Sequence, residues 1–427
     1  MIAPARQAAY AALVAHEVTG TPLPGAIAAA RTSLTDPRDH SLLTELATGA
    51  VRMRKALDYQ LAQRTARPLE TLDPPVRSAL RLGAYQLLYL DRLPPSAVVH
   101  DAVALTKRAG KSSAGALVNA VLRAVARDRA HLTWPDAPTV AALATRYSHP
   151  EWLVERWLNR CGLESTTAWL AFNNRPPRLC VAVNRLKGTR ETLAARLEAE
   201  GVATEPTARA PHGLHVTRGA ALATDAFREG WFVVQDEASQ LIAELGDLRA
   251  GQHVLDLCAS PGGKTMSLAA RAGGAGALIA CDVRPRRVRL LRQTLARLEV
   301  HASIVQVAAN GDLPFATGAF DYVFVDAPCS GLGTLRRDPD IRWTRTPDDL
   351  VRLAAAQLML LHRAARLVAP GGTLVYATCS SEPDENDAVV ANFLADATRF
   401  TERYLHRTMP FDTGLEAFYG AVLVRHV

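Results

Sequence analysis

Val254-Leu255-Asp256-Leu257-Cys258-Ala259-Ser260-Pro261-Gly262-Gly263-Lys264-Thr265 reads as a short apolar strand, a glycine turn and the opening of a helix. Glycines let a backbone approach a ligand closely, and a helix N-terminus presents free N–H groups. Gly263-Lys264-Thr265 ends like a phosphate-binding loop, but that motif needs a glycine where Cys258 stands, and no G-x-G-x-x-G is present. An ordinary strand-to-helix turn is the bland alternative. From about residue 241 onward, apolar runs at 254–257, 277–281, 304–307, 322–325 and 373–377 alternate with helical periodicity. Near-continuous apolar strands joined by helices predict a parallel sheet covered on both faces. Ligands bind such sheets beyond the carboxyl ends of the strands, so the polar residues after each strand are expected to converge.

Those residues carry chemistry. Asp282 closes the second strand. An acid roughly 20 residues past a glycine turn suits ribose hydroxyls, although aspartate also caps helices. Arg284, Arg286, Arg287 and Arg289 follow, and a solvated face is their simplest reading. The strand at 322–325 delivers Asp326-Ala327-Pro328-Cys329-Ser330 into a loop flexed by Gly331 and Gly333. Arg336, Arg337, Asp338, Asp340, Arg342 and Trp343 come next, and basic residues beside an aromatic suit RNA. The last strand ends in Thr378-Cys379-Ser380-Ser381, followed by Glu382, Glu385 and Asn386. A lone buried cysteine is usually inert packing. Two cysteines, each just past a predicted strand and each followed by serine, point to thiol chemistry. No histidine sits beside them at ligand spacing, so no metal is expected.

Upstream the pattern differs. Residues 1–131 show helical periodicity at 4–16, 38–66, 74–90, 95–109 and 113–129, with breakers between, and predict a compact bundle. Ser96 and Ser112 are candidate helix caps. Residues 132–148, with Trp134-Pro135 and Pro138, read as a linker or lid. Residues 149–240 read as a small α+β insert with an opening helix and strands at 178–184, near 214–217 and at 231–235. Domains are therefore expected at 1–131, 149–240 and 241–427. The 427 residues, 48% hydrophobic, suffice for several cores and exclude disordered or collagen-like classes. No long uncharged apolar run or secretory pattern is present, and six scattered cysteines form no CxxC pair, so a cytoplasmic location is expected. The net charge of +7 resides entirely in residues 1–131, which hold 17 Lys+Arg against 10 Asp+Glu. Such asymmetry suits a nucleic-acid partner, with a solvated arginine-rich surface as the alternative.

The Cys258–Thr265 turn and the Pro328-Cys329-Ser330 and Thr378-Cys379-Ser380 loops resemble those of the RNA 5-methylcytosine methyltransferases. Ala47-Thr48-Gly49-Ala50-Val51-Arg52, Leu57-Asp58 and Leu82-Gly83-Ala84-Tyr85-Gln86-Leu87 are similar to the NusB-type RNA-binding domain. So are Pro94-Pro95-Ser96-Ala97-Val98 and Val118-Asn119-Ala120-Val121-Leu122-Arg123. This combination resembles the RsmB (Sun/Fmu) family of 16S rRNA methyltransferases over nearly the whole chain, most weakly at 132–240 and in the last 35 residues. The resemblance implies a multidomain fold: an all-α NusB-like bundle, a small RRM-like α+β insert and an α/β Rossmann-like methyltransferase domain.

The resemblance also implies S-adenosyl-L-methionine (AdoMet) as cofactor, held by Cys258, Ala259, Ser260, Pro261, Gly262, Gly263, Lys264, Asp282, Arg287, Asn310 and Asp326. The family has an aspartate where this chain has Ala309, leaving Asn310 or Asp312 for the adenine. Cys379 is implied as nucleophile at cytosine C6 and Cys329 as base and release group. Asp326 is implied at the N3 and amino edge, and Lys264 as an orienting cation. Swapped thiols are the alternative, because DNA cytosine methyltransferases use the Pro-Cys thiol. Arg336, Arg337, Arg342 and Trp343 are the expected RNA contacts. The implied partner is 16S rRNA, naked or in an early small-subunit particle, with cytosine 967 as target. A monomer with no membrane partner is expected. A non-catalytic RNA-binding or antitermination factor, a methyltransferase of another RNA such as tRNA, and a nucleotide hydrolase are the competing readings.

Overall fold

The computed structural model describes residues 2–91, 93–273 and 277–427. It divides into two compact units. The first runs up to Arg175 and takes in Leu335–Thr344; the second comprises Pro176–Thr334 and Arg345–Val427.

The first unit is helical: Pro4–Thr19, Leu23–Arg31, Pro37–Arg52, Arg54–Ala62, Pro74–Tyr89, Pro95–Arg108, Gly115–Asp128, Val140–Arg146 and Glu151–Asn174 are its main helices. Proline opens four of the first seven at their first helical position, where its missing N–H costs nothing. Leu43, Leu57, Leu80, Val98 and Leu122 belong to one fully buried core. The expected bundle is present, with local differences. Leu23–Arg31 is an additional helix, and the expected 38–66 helix breaks at Met53. Neither Ser96 nor Ser112 caps a helix, because proline chemistry at Pro94-Pro95 and a short turn at Ser112–Ala114 start those elements instead. Residues 132–148 are no mere linker: Thr139 caps the helix Val140–Arg146 by accepting from Ala142 N–H. The helix Glu151–Asn174, expected with the insert, packs its Trp157 and Trp169 in a 3.7 Å stack inside the first unit.

The second unit holds two sheets. The smaller is antiparallel, in order β2-β3-β1-β4, from β1 (Cys180–Val183), β2 (Ala203–Pro206), β3 (Gly213–Arg218) and β4 (Phe232–Val234). Residues 203–206 show no apolar alternation and end in proline, which an edge strand tolerates, so β2 escapes a pattern search. The larger sheet comprises β5 (Val254–Asp256), β6 (Leu278–Asp282), β7 (Ser303–Gln306), β8 (Phe320–Asp326), β9 (Val368–Thr378), β10 (Phe400–Thr408) and β11 (Phe418–Arg425). Its order is β10-β11-β9-β8-β5-β6-β7. The five predicted strands are parallel; β11 pairs antiparallel with β9 and with β10, so the sheet is mixed rather than purely parallel. Val254 and Leu255 point to opposite cores, one under each face. Strand order reverses between β5 and β8, and ligands bind such folds at that switch.

Candidate active site

Strand register brings the two thiols together. In the parallel pair β8–β9, Asp326 stands opposite Ala377. Cys329 and Cys379, three and two residues further on, therefore leave the sheet at one edge, and their sulfurs lie 3.2 Å apart. Both are free cysteines and partly accessible.

A fully buried acid clamps their loops. Glu385 accepts from Ser330 N–H (2.8 Å), Ser330 Oγ, Ser380 Oγ and Gln357 Nε2 (2.9 Å). Its own carbonyl accepts from Tyr376 Oη, while Gln357 also donates to Pro328 O at 3.0 Å. Gly333 completes the support. Its N–H donates to Cys379 O at 3.0 Å, and a Cβ there would fall 1.9 Å from Ala417 O. Nothing in the sequence singles out Gln357, a polar position on the helix Pro347–Ala365. Glu385 carried one signal, an acid six residues past Cys379 in a polar run after an apolar strand.

Lys264 stands in the first turn of the helix Gly263–Ala272, which Gly262 opens at φ +111°, a left-handed conformation that favours glycine. Its ammonium donates to Asp326 Oδ2 at 2.8 Å. Burial works against that charge, but Asp326 and Cys379 outweigh it and hold Lys264 above the ordinary lysine range. The thiol of Cys329 is held well above its usual range, first by its hydrogen bond to Cys379 and then by burial. Cys329 thus keeps its proton beside Cys379, while Lys264 offers Cys379 a compensating cation. Asp256, fully buried with Thr265 Oγ1 at 2.7 Å, is pushed up to about 7, chiefly by burial.

Beside Pro328 and Gln357 opens a cavity of about 430 Å³ that Cys258, Asp282, Arg287 and Asn310 also line. Val283, Leu353, Leu360 and Met359 add apolar wall. Asp282 is buried and accepts from Arg284 N–H at 3.2 Å, and Arg287 Nη2 donates to Ser260 O at 3.0 Å. Burial pushes the Cys258 thiol up, so it lines the wall rather than reacting. Gly262 and Gly263 shape the turn, but neither they nor Ala259, Ser260, Pro261, Lys264 and Asp326 belong to this cavity's wall. Arg363 donates to the carbonyls of Ala308 and Ala309, and Asp312 turns away to pair with Arg366 at 2.6 Å. An apolar slot with one carboxylate at a strand end suits a purine nucleoside whose ribose meets Asp282.

The expected RNA contact at Arg342 is corrected, while Trp343 stays partly exposed. Both belong to the helical unit. Arg342 has no solvent exposure, and its guanidinium donates to the carbonyls of Arg52, Ser148, Asn173 and Leu335 and to Asn174 Oδ1. Burial holds its pKa well below the arginine range. Trp343 spends its indole N–H on Val51 O at 2.8 Å. Arg342 satisfies buried carbonyls of the helical unit, and Trp343 packs partly buried against its core. Arg336 lies 4.2 Å over the Phe172 ring, and Arg337 lines a hollow with Asp338 and Asp340.

No helix among the described residues is long and apolar enough to cross a membrane, and no group of three or more His, Cys, Asp or Glu among them is placed to hold a metal ion. Comparison with known proteins gives three family matches. Residues 243–418 match 16S rRNA methyltransferase RsmB/F, residues 3–127 the NusB family, and residues 149–223 the ferredoxin-like domain of RsmF/B-like methyltransferases. The ribosomal RNA small subunit methyltransferase B of Vibrio cholerae is 34% identical, over 98% of this chain and 96% of its own. That of Pseudomonas putida is 35% identical over 91% of each, and the probable one of Bacillus subtilis 36% identical over 85% of this chain and 81% of its own. The crystal structure of PH0851 matches with a TM-score of 0.85 at 25% identity, covering 99% of both chains.

Proposed function

Because this chain belongs to the RsmB/F family of 16S rRNA methyltransferases, we propose that it methylates C5 of a cytosine in 16S rRNA through a covalent bond between Cys379 and C6 of the base. The observation that carries the reading is the 3.2 Å thiol pair with the Lys264–Asp326 ion pair beside it.

Cytosine C5 is too weak a nucleophile to be methylated unaided. Attack of the Cys379 thiolate on C6 forms the S–C6 bond and moves the ring electrons toward C5, which splits one hard step into easier ones. Lys264, whose ammonium interacts with Cys379, is the cation beside the attacking sulfur. Asp326, oriented by Lys264, holds the N3 and amino edge where charge changes. AdoMet, when bound, supplies an electrophilic methyl group. Asp282 and Arg287 at the cavity are the residues to hold its nucleoside end, with Asn310 at the adenine, since Ala309 has no polar side chain and Asp312 is paired elsewhere. Once Cys379 is a thioether, the hydrogen bond and the neighbouring charge that hold the Cys329 thiol up are gone, so Cys329 releases its own proton to solvent and, as the thiolate, takes the C5 proton. The electrons of the broken C5–H bond expel Cys379 from C6.

The test uses the whole chain, methyl-labelled AdoMet, and either naked 16S rRNA or early small-subunit particles, with the methylated nucleotide mapped. Cytosine 967 is the expected position. Cys379→Ala is expected to lose transfer, and Cys329→Ala to accumulate a protein–RNA adduct that survives denaturing gels. An adduct in Cys379→Ala instead would reverse the thiol roles, and no transfer by wild type on either substrate would refute the reading. Calorimetric titration of AdoMet into Asn310→Ala checks the adenine contact, which requires weaker binding.

A further inference from the structure

A second concavity lies on the helical unit, among residues the reaction does not use. It runs between the helices Pro95–Arg108 and Gly115–Asp128 and encloses about 530 Å³. Val99 and Val103 supply apolar surface, and Ser96, His100, Asn119 and Arg123 supply polar groups, with no acidic residue in the wall. Arg123 Nε donates to Asn119 Oδ1 at 3.1 Å. A guanidinium only donates, so the atom facing it is the amide oxygen, and the Asn119 Nδ2 hydrogens remain as donors. His100 and Arg123 are solvent-exposed, and Arg123 forms no ion pair among the described residues. The surrounding segment, residues 1–131, carries the whole +7 charge excess of the chain.

An apolar floor, an imidazole, an oriented amide and a guanidinium without a counter-ion match the needs of one unpaired nucleotide. Unstacked RNA bases are held by stacking and by hydrogen bonds to their edges, while arginine meets the phosphate. We propose that this groove binds an unpaired nucleotide of the rRNA substrate, distinct from the target cytosine. The base lies on Val99, Val103 and His100, its edge meets Asn119, and its phosphate meets Arg123. The identity of the polymer rests on the rRNA-methyltransferase reading. The consequence is that the helical unit reads a local RNA structure and does more than attract phosphates.

Equilibrium binding of 16S rRNA by the full chain, across a range of salt concentrations, tests this. His100→Ala and Arg123→Gln change exposed side chains, and thermal melting verifies that both fold. Each is expected to weaken binding about tenfold, the order of one lost stack or phosphate contact. Arg123→Gln is also expected to lower the slope of log K against log salt by about 0.7–0.9, and His100→Ala to leave it unchanged. Photo-crosslinking with 4-thiouridine-substituted rRNA is expected to label the peptides 95–103 or 115–126. Wild-type affinity in both variants would overturn the proposal, and so would an effect confined to Arg123→Gln, which would reduce the groove to a phosphate contact. If wild type binds rRNA but never methylates it, the catalytic reading fails and the groove stands. If it methylates normally while both variants bind as wild type does, only the groove fails.

Discussion

Substituting Glu385 with alanine leaves the Ser330 N–H without an acceptor at a position of no solvent exposure. An orphaned buried donor costs about 1–3 kcal/mol. Gln357 keeps Pro328 O as an acceptor and adds little. The hydroxyls of Ser330 and Ser380 lie 3.2 Å apart, so one can donate to the other. The truncation empties roughly 50 Å³, worth about 1 kcal/mol if nothing collapses. The loss is therefore about 2–4 kcal/mol, or a fall in Tm of roughly 5–15 °C at the usual 2–4 °C per kcal/mol for a unit of this size. Glu385→Gln is milder: the amide oxygen serves Ser330 N–H and Gln357, and the serine hydroxyls turn to accept from its NH2. That variant loses charge assistance only, about 1–2 kcal/mol. The thiol loops then lose their common anchor, and displacement of reacting groups by about 1 Å costs on the order of 100-fold in rate. Thermal melting and single-turnover methyl transfer, run on wild type and both variants, check the argument. If Glu385→Ala melts within a degree of wild type, or transfers within threefold of its rate, Glu385 does not hold the two loops.

Gly333→Ala puts a Cβ 1.9 Å from Ala417 O and 2.7 Å from Cys379 O, so the Cys379 loop must shift. A loss of stability of about 1–3 kcal/mol and of most transfer activity is expected from melting and turnover assays. Asp256 has its folded pKa raised from 3.8 to about 7, so the unfolded chain ionises first and wild-type stability falls as pH rises from about 4 to about 7, then levels. Asp256→Asn is expected to remove that fall and gain, by pH 8, up to on the order of 4 kcal/mol over its relative stability at pH 4; parallel denaturant titrations across that range would sink the idea if the two proteins tracked each other. Arg342→Gln strands buried carbonyls and is expected to destabilise the chain by roughly 3 kcal/mol or more while leaving the salt slope of rRNA binding unchanged. A lowered slope with unaltered melting would restore Arg342 to the RNA.

Much of this protein is legible in its sequence because the relevant signals are local. Strand, glycine turn and helix at 254–265 are adjacent in the chain, so apolar runs and breakers report them. The acids and thiols behind the strand ends follow from strand length alone. The helical bundle follows from its periodicity. Tertiary structure decided what depends on partners far apart in the chain. The meeting of Cys329 with Cys379 depends on the register of β8 against β9, and that register is a property of the pair of strands rather than of either sequence. Glu385 and Gln357 matter because donors from two loops and a helix converge on one carboxyl group; in the sequence Gln357 reads as an unremarked polar residue and Glu385 only as an acid following the second thiol. β10 and β11 add an antiparallel edge that only pairing with β9 reveals. Arg342 is the sharpest case. In sequence it belongs to a basic, aromatic run suited to RNA; in the fold it is sealed among carbonyl oxygens. A charge looks the same in a sequence whether water or backbone solvates it, and only the three-dimensional tally of acceptors tells the two apart.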